Sequence, residues 1–169
     1  ASTQLSITTG GITNTGLLTI GVNSTGDVSI SSVVTGAGGI TKDGSGNLIL
    51  NADNGSTYSG ITTVSVGVVK VMQNNALGNT SGITSVTSGA TIQTSGNGLI
   101  IPEPITLNGD GIATSQGALR NPSGSNIWSG AITLGSSGAR IVSTGFATDG
   151  SDFLSLTNTI AAGGLLIID

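Results

Sequence analysis

The chain has 169 residues, of which only 7% are charged and 2% aromatic; 29 are glycine, none is cysteine or histidine, and the net charge is −4. Four basic residues in all exclude a phosphate-tracking patch, and with it nucleic acid as a partner. The lack of cysteine excludes disulfides, and no run of 18 apolar residues offers a transmembrane segment.

A chain this long reads as one domain. Low hydrophobicity with high charge marks disorder, and a mean hydropathy of +0.33 with few charges is the reverse. With almost no aromatic rings to fill a thick interior, the small and β-branched side chains favour a thin core, as in a solenoid. The chain opens at Ala1 without a charged, then apolar leader, so any signal peptide is expected to be removed already or to lie outside it.

In chain order, short alternating runs appear at 17–20, 27–30, 47–50, 62–66, 68–71, 90–93, 105–107, 131–134, 140–142 and 153–156. Each is bounded by Gly, Asn or Ser, and no window keeps a helical period. The sequence therefore predicts an all-β fold of very short strands. Val33-Val34-Thr35-Gly36-Ala37-Gly38-Gly39-Ile40 is echoed by Thr159-Ile160-Ala161-Ala162-Gly163-Gly164-Leu165, and Val28-Ser29-Ile30 by Leu154-Ser155-Leu156. That spacing suits a super-repeat of several coils. Strand–Gly–strand units recur about every 10–12 residues, so two or three would close a coil of roughly 20–30 residues rising about 4.8 Å. Gly38-Gly39, Gly44 and Gly46 are expected at corners with positive φ. Leu48 with Leu50, and Val64 with Val66, are expected to share a strand face, and Asn54, Asn74 and Asn75 to cap backbone groups at corners. Tyr58 is expected to stack along a coil, with Lys42 flanking the opening turn.

Residues 36–71 closely resemble the passenger-associated transport repeat, the autotransporter-associated β-strand repeat of bacterial autotransporter passengers. Lys42, Gly44, Gly46, Leu48, Leu50, Asn54, Tyr58, Gly60, Thr62, Val64 and Gly67 carry the pattern, followed by Asn75-Ala76-Leu77-Gly78 and Ser88-Gly89-Ala90-Thr91. Residues 117–121 and 127–132 look like the segment between motifs. Asn51 stands where Gly is common, Asp53-Asn54-Gly55-Ser56 adds length, and Val68-Val69 replaces Thr-Leu. The resemblance implies a right-handed parallel β-helix of roughly 6–8 coils. Residues 1–169 would form a single segment, with 36–91 the clearest motif and both ends falling mid-repeat. It further implies an extracellular place on a bacterial outer-membrane surface, as a rigid stalk or filament body. Partners would be copies of itself through open coil ends, adjoining repeats of a longer chain, or a host or cell-surface glycan or protein.

Chemistry-bearing residues are sparse. Without His there is no Ser-His-Asp triad, no Cys-His pair and no usual zinc site. Asp149 and Asp152, with Arg140 upstream, are the only candidates for a lyase- or hydrolase-type acidic site, and Asp149-Gly150-Ser151-Asp152 reads instead as a turn. Asp43-Gly44-Ser45-Gly46-Asn47 begins like a calcium loop but lacks its later ligands. Tyr58, Trp128, Phe146 and Phe153 could stack sugars, although burial suits them better. Pro102-Glu103-Pro104 reads as an excursion between coils. Thr62-Thr63 could order water, but no regular Thr-x-Thr ladder recurs along the chain. The expectation is a non-enzymatic structural element with no catalytic, cofactor or metal residues. An adhesin module and a polysaccharide-lyase-type β-helix stand as rivals.

Overall fold

A computed structural model describes residues 4–23, 26–113, 116–145, 152–161 and 163–169. The chain is all-β, and it winds as a parallel β-helix whose every strand pairing is parallel. Each coil offers up to three short strands, one per face. The first has β1 (Gln4–Ile7), β2 (Ile12–Thr13) and β3 (Leu18–Gly21), and the second β4 (Asp27–Ile30), β5 (Val34–Thr35) and β6 (Ile40–Asp43). The third has β7 (Asn47–Leu50) and β8 (Thr62–Val64), and the fourth β9 (Gly67–Val71) and β10 (Thr84–Val86). The fifth has β11 (Ala90–Thr94), β12 (Ile100–Ile101) and β13 (Ile105–Gly109). Then come β14 (Leu119–Asn121), β15 (Asn126–Trp128), β16 (Ile132–Ser143), β17 (Leu154–Leu156), β18 (Ile160–Ala161) and β19 (Leu166–Ile168).

Face one stacks β1, β4, β7, β9, β11, β14, the second half of β16, and β19; face two stacks β3, β6, β8, β10, β13, the first half of β16, and β18. The 12-residue β16 runs through the corner between them. Face three is thinner. It holds the β2–β5 pair, a Gly36–Tyr58 bridge, and β12, β15 and β17. Successive partners are 20 residues apart at the closest (Asp27 to Asn47) and 30 at the widest (Gly109 to Ala139, across a register shift). Seven coils and the opening strand of an eighth result, within the sequence expectation.

The core is a set of vertical files. Leu48, Val69, Ile92, Leu119 and Ile141 are successive register partners on face one, all buried. On face two, alternation sends Ile40, Thr62, Thr84, Ile105 and Ile132 inward with Val64, Val86, Leu107 and Leu134. Such files bury aliphatic area without large rings, which is how a chain with 2% aromatics closes a core.

Several expectations change. Val66 lies beyond β8 and is 41% exposed, so it does not share the inward face of buried Val64. Of the four corner glycines, only Gly44 has a positive φ. Gly38 and Gly46 are needed for close approach: a Cβ on Gly38 would lie 2.0 Å from the Gly16 carbonyl oxygen, and one on Gly46 2.7 Å from that of Gly26. The long echo also falls out of phase. Residues 28–30 lie on face one but 154–156 on face three, and 34–35 lie on face three but 160–161 on face two. It repeats a local strand–turn–strand unit and not a block of coils.

Candidate functional site

The motif residues come first, because they are the sequence's strongest signal. Lys42 does not flank a turn in solvent. Alternation with Ile40 turns it inward, where it is fully buried, and its Nζ donates to the carbonyl oxygens of Asp43 (3.0 Å), Gly44 (2.6 Å) and Val66 (2.9 Å). Burial lowers its pKa to about 8, with Asp43 opposing. Gly67, at φ +76°, packs against the Gly44 and Gly46 carbonyls and Lys42 Nζ. Leu48, Leu50 and Val64 fill the core. Asn54 is buried and bridges coils, accepting from the Val34 N–H (2.9 Å) and donating to the Ala76 carbonyl (2.8 Å). Asn74 caps the Ile100 N–H from the exterior. Tyr58 is buried, with its hydroxyl bonded to the Ile61 carbonyl (3.2 Å) and to Thr62 Oγ1 (3.3 Å). The motif is thus a set of coil-closing contacts.

A second buried polar cluster lies one to two coils further on. Pro102-Glu103-Pro104 is not an excursion: it forms the corner between β12 and β13, and Glu103 points inward at 2% exposure. Glu103 Oε1 accepts from Thr84 Oγ1 (3.0 Å), its main-chain oxygen accepts from Trp128 Nε1 (3.0 Å), and Oε2 is buried without a partner. Burial raises its pKa to about 7, with the Thr84 hydrogen bond opposing. A buried carboxyl near neutrality is the strongest catalytic signal in the chain. Its side chain is shut off from solvent, however, and its neighbours Tyr58, Thr84 and Trp128 are themselves buried. A third cluster, Thr94, Asn121 and Asn126, closes the corner after β14: Asn126 Nδ2 donates to Asn121 Oδ1 (2.7 Å) and Asn121 Nδ2 to the Gly124 carbonyl (2.9 Å).

Asp149, like Phe146, lies outside the described residues. Asp152 Oδ1 accepts from the Gly124 N–H (2.7 Å), and Arg140 pairs with Asp169 and with Asp110 (3.5 Å). In the calcium-like segment, Asp43 Oδ1 accepts from its neighbouring Gly44 N–H (2.8 Å) and Asn47 donates to Asp27 (2.7 Å). Among the described residues no three His, Cys, Asp or Glu gather as metal ligands. Trp128 and Tyr58 are core residues, and only Phe153, 47% exposed, offers a ring to solvent among the described aromatics. No sugar platform forms from them.

Compared with protein-family models, curated proteins and solved structures, the chain has no significant match. The resemblance stated above rests on its residue pattern, and the surface has to supply the rest.

One surface feature was missed in the sequence. The outward residues of face two are stacked in register as Thr19, Thr41, Thr63, Ser85, Thr106 and Thr133, one per coil. The ladder runs across the coils, and not along the chain where a Thr-x-Thr pattern would show it. Beside it, Leu17, Ile61 and Ile83 occupy equivalent positions and are 73%, 57% and 47% exposed.

Proposed function

We propose that the chain is an extracellular structural β-helix of a bacterial autotransporter-type surface protein, serving as a rigid stalk or filament body and not as an enzyme. One observation carries the reading: the residues that define the passenger-repeat pattern serve to close and fill coils. Lys42, Asn54 and Tyr58 satisfy backbone groups from inside, and Leu48, Leu50 and Val64 fill the core. Each coil rests on its neighbours, so folding can proceed coil by coil as the chain emerges, burying apolar area at each step. That would help draw a passenger across an outer membrane.

The two ends support stacking. Leu5, Ile7, Ile12, Leu18 and Ile20 line an apolar hollow under the first coil, and Leu165 and Ile168 are 71% and 63% exposed on the last. Unpaired strand edges above an apolar core are covered by a further coil or by a second copy. Negative-stain electron microscopy of the purified chain over a range of concentrations tests the proposal. Rods one solenoid wide that lengthen with concentration are expected. Compact particles with hydrolytic or lyase activity on polyuronates would replace the structural reading with an enzymatic one.

A further inference from the structure

We propose that the outer surface of face two is a lateral docking surface for a second copy of this chain, the two rods lying side by side and antiparallel. The inference rests on the reading of the chain as a structural rod, and it adds a second, independent direction of assembly.

The hydroxyl file is the first ground. Thr19 and Thr133 are exposed and the four rungs between them half-buried, while their sequence neighbours face the core. None of the six hydroxyls hydrogen-bonds to another described residue, whereas the inward Thr84 and the flanking Thr87 of the same face, and Thr57 and Thr91 elsewhere, all do. The second ground is the flanking file, which runs Leu17, Gly39, Ile61, Ile83, Pro104 and Ala131; Ile61 and Ile83 are adjacent large aliphatic side chains left exposed at its middle rungs, with Leu17 at the first, and clustered exposed apolar side chains mark an interaction surface. Asp43 is the one charged residue among the outward positions of face two, at the file's edge.

Self-pairing follows from complementarity. A two-fold interface sets the same patch against itself. A hydroxyl is both donor and acceptor, so a Thr file matches a Thr file, and aliphatic side chains match their own kind. With the two-fold axis across the rods, midway between the Thr63 and Ser85 rungs, the hydroxyl file meets itself, Ile61 meets Ile83 and Leu17 meets Ala131, which requires antiparallel rods. A two-fold along the rods would instead set the aliphatic file against the polar file of Asp43, Ser65, Thr87 and Asn108. Facing sheets would sit about 10 Å apart, and six rungs at about 4.8 Å by three outward positions give about 500 Å² per copy. The total of about 1,000 Å² is the lower bound for a specific interface, so pairing should be reversible and concentration-dependent.

Analytical ultracentrifugation with small-angle scattering reads this directly. The expected species is a dimer with a doubled cross-section and unchanged length, whereas axial stacking lengthens a rod of constant cross-section. Thr63→Lys with Ser85→Lys sets like charges across the two-fold and should raise the dimer dissociation constant at least about tenfold, leaving end-to-end lengthening intact. Should those lysines disturb folding by circular dichroism, Ile61→Ser with Ile83→Ser asks the same question with neutral side chains. A cross-section that stays single at every concentration, or a dimer unmoved by both variants, overturns the proposal. So does a face that captures a polysaccharide surface while remaining monomeric.

Discussion

Among the described residues, Lys42 and Glu103 are the two buried charges of the core, and their burial acts in opposite directions on pH. Glu103 is raised from 4.5 to about 7 in the folded chain, so folding takes up a proton between those values. Its contribution to stability is present below about pH 4.5 and is lost as pH rises through about 7. Lys42 is lowered from 10.5 to about 8, so its contribution is present above about 10.5 and lost as pH falls through about 8. Stability should therefore pass through a minimum between about pH 7 and 8, visible in urea midpoints measured from pH 4 to 10. Glu103→Gln should flatten the acid limb, which is on the order of 2–3 kcal/mol, and Lys42→Met the alkaline limb. A monotonic profile would show that at least one of the two side chains is not buried in solution, and a profile unchanged in both variants that neither is. Lys42 was legible in part: the alternation Ile40-Thr41-Lys42 already points its side chain inward, yet charge argues for solvent. Only the carbonyls of Gly44 and Val66, brought together by coiling, explain why it stays inside. Glu103 gave no such sign, because two flanking prolines suggest a loop and the Thr84 that receives it lies a coil away.

At the scale of elements, a glycine file keeps the coils in phase. Gly16, Gly38, Gly60 and Gly82 stack at the corner before face two, and a Cβ on Gly60 would lie 2.0 Å from the Gly38 carbonyl oxygen. Gly60→Ala must push two coils apart and should cost about 2–4 kcal/mol. Gly89→Ala, where φ is +86° but the space is open, should cost about 1 kcal/mol. Thermal denaturation of the two variants separates crowding from backbone strain, and equal losses would refute the file's role. The file was present in the sequence and unread. GLLTI, GGITK, GITTV and GITSV begin at 16, 38, 60 and 82, a period of one coil that fixes both the glycine corner and the outward threonine. Each of the ten alternating runs holds a strand, although 62–66 is one only over 62–64, and 131–134 and 140–142 fall in the single strand β16. Missed were strands of two or three residues such as β2, β5 and β12, too short to alternate, and β1 and β6, whose mixed side chains hide their period.

Across the whole molecule, burial is graded along the axis. The paired positions Leu48, Val69, Ile92, Leu119 and Ile141 are 0–2% exposed, while Leu5 and Ile168 in the same file are 59% and 63% exposed. Hydrogen exchange should therefore be slowest in β7 to β14 and fastest in β1 to β3 and β17 to β19, since each coil is held by its neighbours. Uniform protection from end to end would instead indicate that both ends are covered by stacking. Fold and core were legible because short strands, glycine corners and scarce aromatics leave few architectures. The assembly face was not, because its residues are some 22 positions apart and meet only when wound.

The winding also determines how the chain responds to load. A coil of about 22 residues advances the rod by about 4.8 Å, yet its extended contour is about 70 Å. A pull on the two ends would peel coils in turn, each yielding roughly fifteen times its own height in slack. A tether built this way stays short and stiff at rest and lengthens in discrete steps before it breaks.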